Sequence, residues 1–341
     1  MDWLLYMQAA SDDDGMVANY KMIIGQWAPS YPETTGYIIP TFLEYGRRYG
    51  RSDVLAAAIQ MAEYKLAVQF PDGGVPFIKN RSGEKSQPVA FDTGQVLFGL
   101  MAAYQQAQDD RYLNAAIRAG NWLVDHQTEE GYWPDYHQGK SVGAIDARVS
   151  WALLLLFDLK ADQRYKDSAR VQLNWVLQQQ QANGWFTHCS FQVHQPPVTH
   201  TIAYTIEGLL ESGVIRNDDR YISSAKKAAD ILLDQLLSSG YLAGAFDQNW
   251  RPSAWWSCLT GDAQLAQIWL HLGKLTGNAK YQPAAERALQ FDASTQYLDK
   301  MPEEIRGGIA GSWPIYGQYM RLKYPNWAAN FFVDPLLNLQ E

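Results

Sequence analysis

Asp110-Arg111-Tyr112-Leu113-Asn114-Ala115-Ala116 opens a run whose apolar residues recur at helical spacing, with polar residues on the opposite face. The opening returns as Gln163-Arg164-Tyr165, Asp219-Arg220-Tyr221 and Ala279-Lys280-Tyr281, each leading into a further helical run. The tyrosines stand 53, 56 and 60 residues apart, and Arg51-Ser52-Asp53-Val54 fills the same slot 58 residues before Tyr112. A period of this length is the mark of stacked supersecondary units, here helical hairpins.

Each of these helices ends in a turn marked by Gln or Gly and by aromatic residues. Examples are Gln69-Phe70-Pro71-Asp72-Gly73-Gly74, Gln127 to Trp133, Gln181-Ala182-Asn183-Gly184-Trp185, and Gly240 to Trp250. Glycine after the last helical turn is a stop signal, because it takes the left-handed conformation without a Cβ clash. A second, more apolar helix belongs to each hairpin: 36–47, 94–106, 148–159, 201–212 and 262–275. The run from Trp151 to Phe157 is apolar all round, as suits a helix covered on both sides.

Residues 1–24 read as an outer helix, and 311–338 as a final inner helix (311–322) with a tail helix (326–337). Together they complete a sixth hairpin. The expectation is an all-α chain: an (α/α) toroid of five or six hairpins, one domain over residues 1–341, with no strand beyond short stretches in the aromatic turns.

Composition narrows the function. The net charge is −8 with no run of Lys or Arg, which argues against a nucleic-acid partner. No apolar run approaches the roughly 20 residues that span a bilayer. Cys189 and Cys258 cannot build a disulfide framework, and no basic segment precedes an apolar one at the N-terminus. Both features favour a cytoplasmic over a periplasmic location. Thirteen Trp, 20 Tyr and 12 Phe with little charge suit a protein that stacks sugars, although most of them must fill a wide helical core.

In a toroid the inner helices all start at one mouth, where free N–H groups and positive dipole ends gather. The residues just before these helices are Thr34, Asp92, Asp146 and His200, at spacings of 58, 54 and 54. Asp262 and Gln264 lie near the fifth slot. Gln95 and Arg148 fall in first turns. His200, Tyr204 and Glu207 share one helix face, since offsets of 4 and 7 bring side chains into register. The loops feeding the mouth add Trp133, Tyr136, His137, Trp185, His188, His194, Asp247, Trp250, Trp255 and Trp256. Asp92 and Asp146 also suit helix N-caps, and for either alone capping outweighs catalysis. His188, Cys189, His194 and His200 match no zinc spacing, and there is no GxGxxG, P-loop, GxSxG or HExxH, so neither metal nor cofactor is expected.

The aromatic turns and four segments carry a resemblance: Phe91-Asp92-Thr93-Gly94-Gln95, His200-Thr201-Ile202-Ala203-Tyr204, Cys258-Leu259-Thr260-Gly261-Asp262-Ala263-Gln264 and the closing Pro325-Asn326-Trp327-Ala328-Ala329-Asn330-Phe331-Phe332. Together they resemble a group of bacterial proteins from exopolysaccharide and capsule loci. That group is related in architecture to the (α/α) toroid domains of polysaccharide lyases, unsaturated-uronyl hydrolases and glucuronyl C5-epimerases. The resemblance runs from about Thr35 to the end of the chain and implies a carbohydrate ligand.

The leading expectation is an enzyme acting on an anionic, uronate-bearing polysaccharide. In a lyase or C5-epimerase, Tyr204 or His200 would be the base and the other the acid, a tyrosine base needing a neighbouring cation to lower its pKa, and Arg148 with nearby helix N-termini would hold the carboxylate. Hydrolysis would instead use two carboxylates drawn from Asp92, Asp146, Glu207, Asp247 and Asp262. The alternatives are a non-catalytic glycan-binding or assembly protein and an isoprenoid enzyme, though the DxDD acid of the cyclases is absent.

Overall fold

The computed structural model describes residues 1–77, 87–136, 143–191, 195–299 and 301–339. Inner helices α2 (Pro32–Tyr49), α4 (Ala90–Ala107), α6 (Ala147–Lys160), α8 (Thr199–Arg216), α10 (Leu259–Thr276) and α12 (Asn326–Leu339) pack in sequence order, and α12 returns to α2 to close a ring. The helices α3 (Ser52–Val68), α5 (Asp110–Asp125), α7 (Gln163–Gln178), α9 (Asp219–Gln235) and α11 (Tyr281–Ser294) form the outer layer, joined by α1 (Asp2–Ala9) beside α12 and α3. This is an (α/α)6 toroid.

The repeated tyrosine is the lock between neighbouring outer helices. Tyr112 donates to Glu63 Oε1 at 2.6 Å, Tyr165 to Asn121 Oδ1 at 3.0 Å, Tyr221 to Asn174 Oδ1 at 3.0 Å and Tyr281 to Asp230 Oδ1 at 2.7 Å. Just before it, Asp109, Asp162 and Asp218 cap the helices by accepting from the N–H of Arg111, Arg164 and Arg220. The turn glutamines make the complementary bond: Nε2 of Gln69, Gln127 and Gln180 donates to a backbone carbonyl of the next outer helix (Ala115, Ser168, Ser224). The turn glycine is required twice over. At Gly73 φ is +105°, and a Cβ there would sit 2.2 Å from Arg118 O.

Three readings need correction. The inner helices begin one to four residues before the expected starts. Pro32, a favoured first-turn residue, marks the true start of α2. The segment 311–322 is not a helix. Pro314 lacks a backbone donor, Met320 and Leu322 take positive φ, and a Cβ on Gly311 would lie 2.3 Å from Met320 Cβ. The expected tail helix, α12, is therefore the sixth inner helix. Finally, only Asp2–Ala9 of residues 1–24 is helical. After it, Asp13 Oδ1 folds a turn by accepting from Ser11 Oγ and Gly15 N, and β1 (Asn19–Lys21) pairs antiparallel with β2 (Gln26–Trp27) and β3 (Lys323–Pro325). This small sheet ties the two chain ends together over the mouth, where Asn326 Nδ2 donates to Val17 O and Thr34 Oγ1. Among the described residues no helix is long and apolar enough to cross a membrane.

Candidate active site

The first turns of α2, α4 and α8 and the small sheet enclose a cavity of about 450 Å3. Glu33, Thr34, Asp92, His200 and Tyr204 face it, together with Tyr37, Tyr319 and Lys21 of β1. Three of the four expected register residues (Thr34, Asp92, His200) therefore meet at one wall. They do so from inside the helices rather than ahead of them: Asp92 is the third residue of α4 and His200 the second of α8. Neither Asp92 nor Asp146 makes a side-chain capping bond, so the capping reading is set aside. Asp146 ends a short 3-10 turn before α6, buried and outside the cavity lining.

Gly261 allows the key close approach. A Cβ there would lie 2.2 Å from Thr199 Oγ1 and 2.6 Å from His200 N, so only glycine lets the start of α10 abut the start of α8. Gln264, one turn on, thereby reaches His200, with Oε1 2.6 Å from Nδ1. An amide oxygen accepts, so Nδ1 carries the proton and Nε2 keeps its lone pair. Burial lowers the His200 pKa to about 3, outweighing the Gln264 bond, and Arg148 lowers it further. The imidazole is neutral at physiological pH.

The Tyr204 ring lies 4.3 Å from that of His200, and its hydroxyl donates to Glu33 Oε1 at 3.4 Å. Burial and the Glu33 charge push the phenol well above the tyrosine range, against the pull of Arg148. Tyr204 is thus held as an acid, contrary to the expectation that a cation would make it a base.

Glu33 was missed by the sequence reading. It stands beside Thr34, and its first-turn position follows once Pro32 is taken as the helix start. Burial pushes Glu33 up to about 7, although Tyr31, Arg148, Tyr204 and Lys65 all pull it down. Asp92 is driven well above the carboxylate range by burial and by Glu33. Behind both lies Lys65, fully buried with its Nζ donating to Pro32 O; burial pulls its amine well down while Asp92, Asp13 and Glu33 oppose. Two carboxyls that resist ionisation therefore share the wall with a neutral imidazole and a protonated phenol.

Arg148 is not presented to the mouth. Its Nη1 donates to Glu207 and its Nε to Gln95 Oε1 at 3.0 Å, and the rings of Tyr37, Phe98, Trp151, Tyr204 and Phe331 surround the guanidinium at 5.0–5.7 Å. Burial pulls it down, but Glu207, Tyr204 and Tyr37 more than compensate and keep it charged. Burial likewise raises Glu207, and Arg148 opposes that rise. This ion pair and its aromatic collar form a floor across the funnel, which takes Arg148, Gln95 and Glu207 away from the mouth.

The expected loop residues also lie elsewhere. Trp133 and Trp250 are buried plugs, their indoles bonded to Leu123 O and Asn183 O, and Trp185 packs edge-on against Trp250. Trp256 is buried against Gly244 and Gly317, and Tyr136 packs on Trp122 and His126. Asp247 folds its own turn by accepting from Asn249 N and Arg251 N, His188 is exposed beside Trp175, and Asp262 accepts from Ser257 Oγ in the core. None of these lines the cavity. The expected residues His137 and His194 lie outside the described residues.

The family model described as the ulvan lyase N-terminal domain matches residues 82–260, just over half of the chain. No curated protein matches the sequence. Among solved structures, the chain is similar to an unsaturated glucuronyl hydrolase from a Bacillus species (TM-score 0.75, 14% identity, 100% of this chain and 96% of that one). It is also similar to cellobiose 2-epimerase from Bacillus thermoamylovorans (TM-score 0.76, 13% identity, 99% and 95%). A third similar structure is an alpha-mannanase from Bacteroides thetaiotaomicron (TM-score 0.70, 16% identity, 99% and 95%). At these identities the likeness establishes the toroid fold.

Proposed function

Since the chain belongs to the ulvan lyase N-terminal domain family, we propose that it is a carbohydrate-active enzyme that cleaves a uronate-containing polysaccharide by β-elimination in the mouth cavity. One observation carries this reading: a neutral imidazole with a free Nε2 stands beside a phenol kept protonated, both on one helix face.

In the proposed reaction His200 Nε2 takes the proton from C5 of the uronate, and the C5–H electron pair becomes the C4–C5 double bond as the C4–O4 bond breaks. Tyr204 gives its phenolic proton to the departing O4. The phenolate then recovers a proton from the Glu33 carboxyl, which refills from water, and His200 releases the C5 proton to solvent. Proton abstraction at C5 requires the substrate carboxylate to be neutralised. Asp92, held protonated by burial, would share its proton with it, and Lys21 and the free N–H groups of the first turns would add positive potential. An arriving anion would also raise the His200 pKa from its depressed value and make it a better base.

Hydrolysis is the second reading, favoured by the two buried carboxyls Glu33 and Asp92 on one wall. Incubation with ulvan and other uronate polysaccharides separates the two. Growth of the ultraviolet absorbance of unsaturated uronate products, with new reducing ends, supports elimination. Reducing ends without that absorbance assign hydrolysis, and solvent deuterium at C5 without cleavage assigns epimerisation.

A further inference from the structure

Below the Arg148–Glu207 floor the funnel opens again. A cavity of about 610 Å3 faces the opposite end of the ring, toward the C-terminal ends of α2, α4, α6, α8 and α10. Those ends carry the negative pole of the helix dipoles, the inverse of the mouth.

Among the polar groups facing this cavity is an acceptor without a donor. Asn330 is fully buried, its Nδ2 donates to Asp334 Oδ2 at 3.3 Å, and its Oδ1 has no hydrogen-bond partner among the described residues. A buried carbonyl left unmet is costly, which points to a donor supplied from outside the chain. Asp334 Oδ1 accepts from Thr41 Oγ1 at 2.6 Å. Arg148, the cation among the described lining residues, is already committed to Glu207 and Gln95. Phe98 and Trp151 supply aromatic surface, and a cavity of this size holds an organic molecule rather than a bare ion.

We propose that this second cavity binds a small organic ammonium ion with an apolar body, its N–H groups donating to Asp334 and Asn330 Oδ1 and its body lying on the Trp151 and Phe98 rings. The site is separate from the mouth and does not depend on the reaction proposed there.

A linkage follows. Burial and the Glu207 charge push Asp334 up to about 7, with the Thr41 bond and Arg148 opposing. The other charged groups facing the cavity are Glu44 of α2, Asp158 of α6, which is paired with Arg216, and Glu207 of α8; α4 and α10 contribute uncharged Gln105 and Gln267. Beside Gln267 and Asn338 a smaller pocket adds Glu211, His271 and Lys274. A cation favours ionised Asp334, so its affinity rises as the pH passes through that value.

The test is isothermal titration of the full chain with three probes sharing one body: phenethylammonium, 2-phenylethanol and 3-phenylpropanoate. The ammonium should bind about tenfold more tightly than the alcohol, roughly one ion pair's worth, and the carboxylate more weakly than either. Asp334→Asn, nearly isosteric, should erase the ammonium preference. In the unmodified protein, the preference should grow several-fold from about one pH unit below the Asp334 value to about one above. Equal binding of the three probes, tighter binding of the carboxylate, a preference surviving Asp334→Asn, or no binding of the ammonium would each overturn the proposal. The pH series keeps the test decisive if the variant fails to fold.

Discussion

Replacing Glu33 by Gln separates stability from activity in a way that the buried carboxyl makes quantitative. Burial moves Glu33 from an ordinary 4.5 to about 7. Below the ordinary value both the folded and unfolded chains hold the proton, and the group contributes no penalty. Between the two values the unfolded chain ionises while the folded one does not, so stability falls as pH rises. Above about 7 both are ionised and the loss levels off. At about 1.4 kcal/mol per unit the full penalty is about 3 kcal/mol. Glu33→Gln removes it. The variant should match the native chain near pH 4 and exceed it by about 3 kcal/mol above pH 8, a rise of a few degrees in melting temperature. Activity should move the other way, because the amide cannot pass a proton to Tyr204: kcat should fall about 10²-fold or more, and a limb of the pH–rate profile near 7 should disappear. Thermal melts across pH and the ultraviolet elimination assay read both. A stability difference that is constant with pH, or a pH–rate profile that is unchanged, would refute the assignment.

Tyr204→Phe should lower kcat by about 10²–10⁴-fold while costing under about 1 kcal/mol of stability, since the bond it removes is long at 3.4 Å; a rate within a few-fold of the native value removes Tyr204 from the chemistry. Arg148→Ala should destabilise by about 3–5 kcal/mol, because it leaves Glu207 charged, buried and alone, whereas Arg148→Met combined with Glu207→Leu should recover most of that loss in denaturant unfolding. Lys21→Met should raise KM for an anionic polysaccharide several-fold with kcat unchanged, and the effect should vanish at high salt.

The repeat was legible because it is written in local chemistry. Aspartate caps at the helix starts, glycines at positive φ and tyrosines one hairpin apart each answer a constraint within a few residues or one period. The wall of Thr34, Asp92 and His200 could be read from the same register. What the register could not convey was direction. Arg148 and His200 both lie in first turns, but Arg148 reaches down to Glu207 and His200 stays at the mouth. The close approaches at Gly208, against Ala147 and Arg148, and at Gly261, against Thr199, set which neighbour each side chain meets. The tryptophans show the same limit: Trp133 and Trp250 were visible as loop residues, yet their indole donors are satisfied inside the turns.

The sequence alone therefore determined the hairpin, its period and the face on which His200 and Tyr204 stand, since these depend on helical geometry and turn stereochemistry. Ring closure was decided by contacts between the chain's two ends, where α12 meets α2 and β3 pairs with β1. Only the tertiary structure set the chemistry of the wall. Glu33 becomes a carboxyl near neutrality, and Tyr204 a retained acid, because burial withdraws solvation from their charged forms, and burial is a property of the assembled ring.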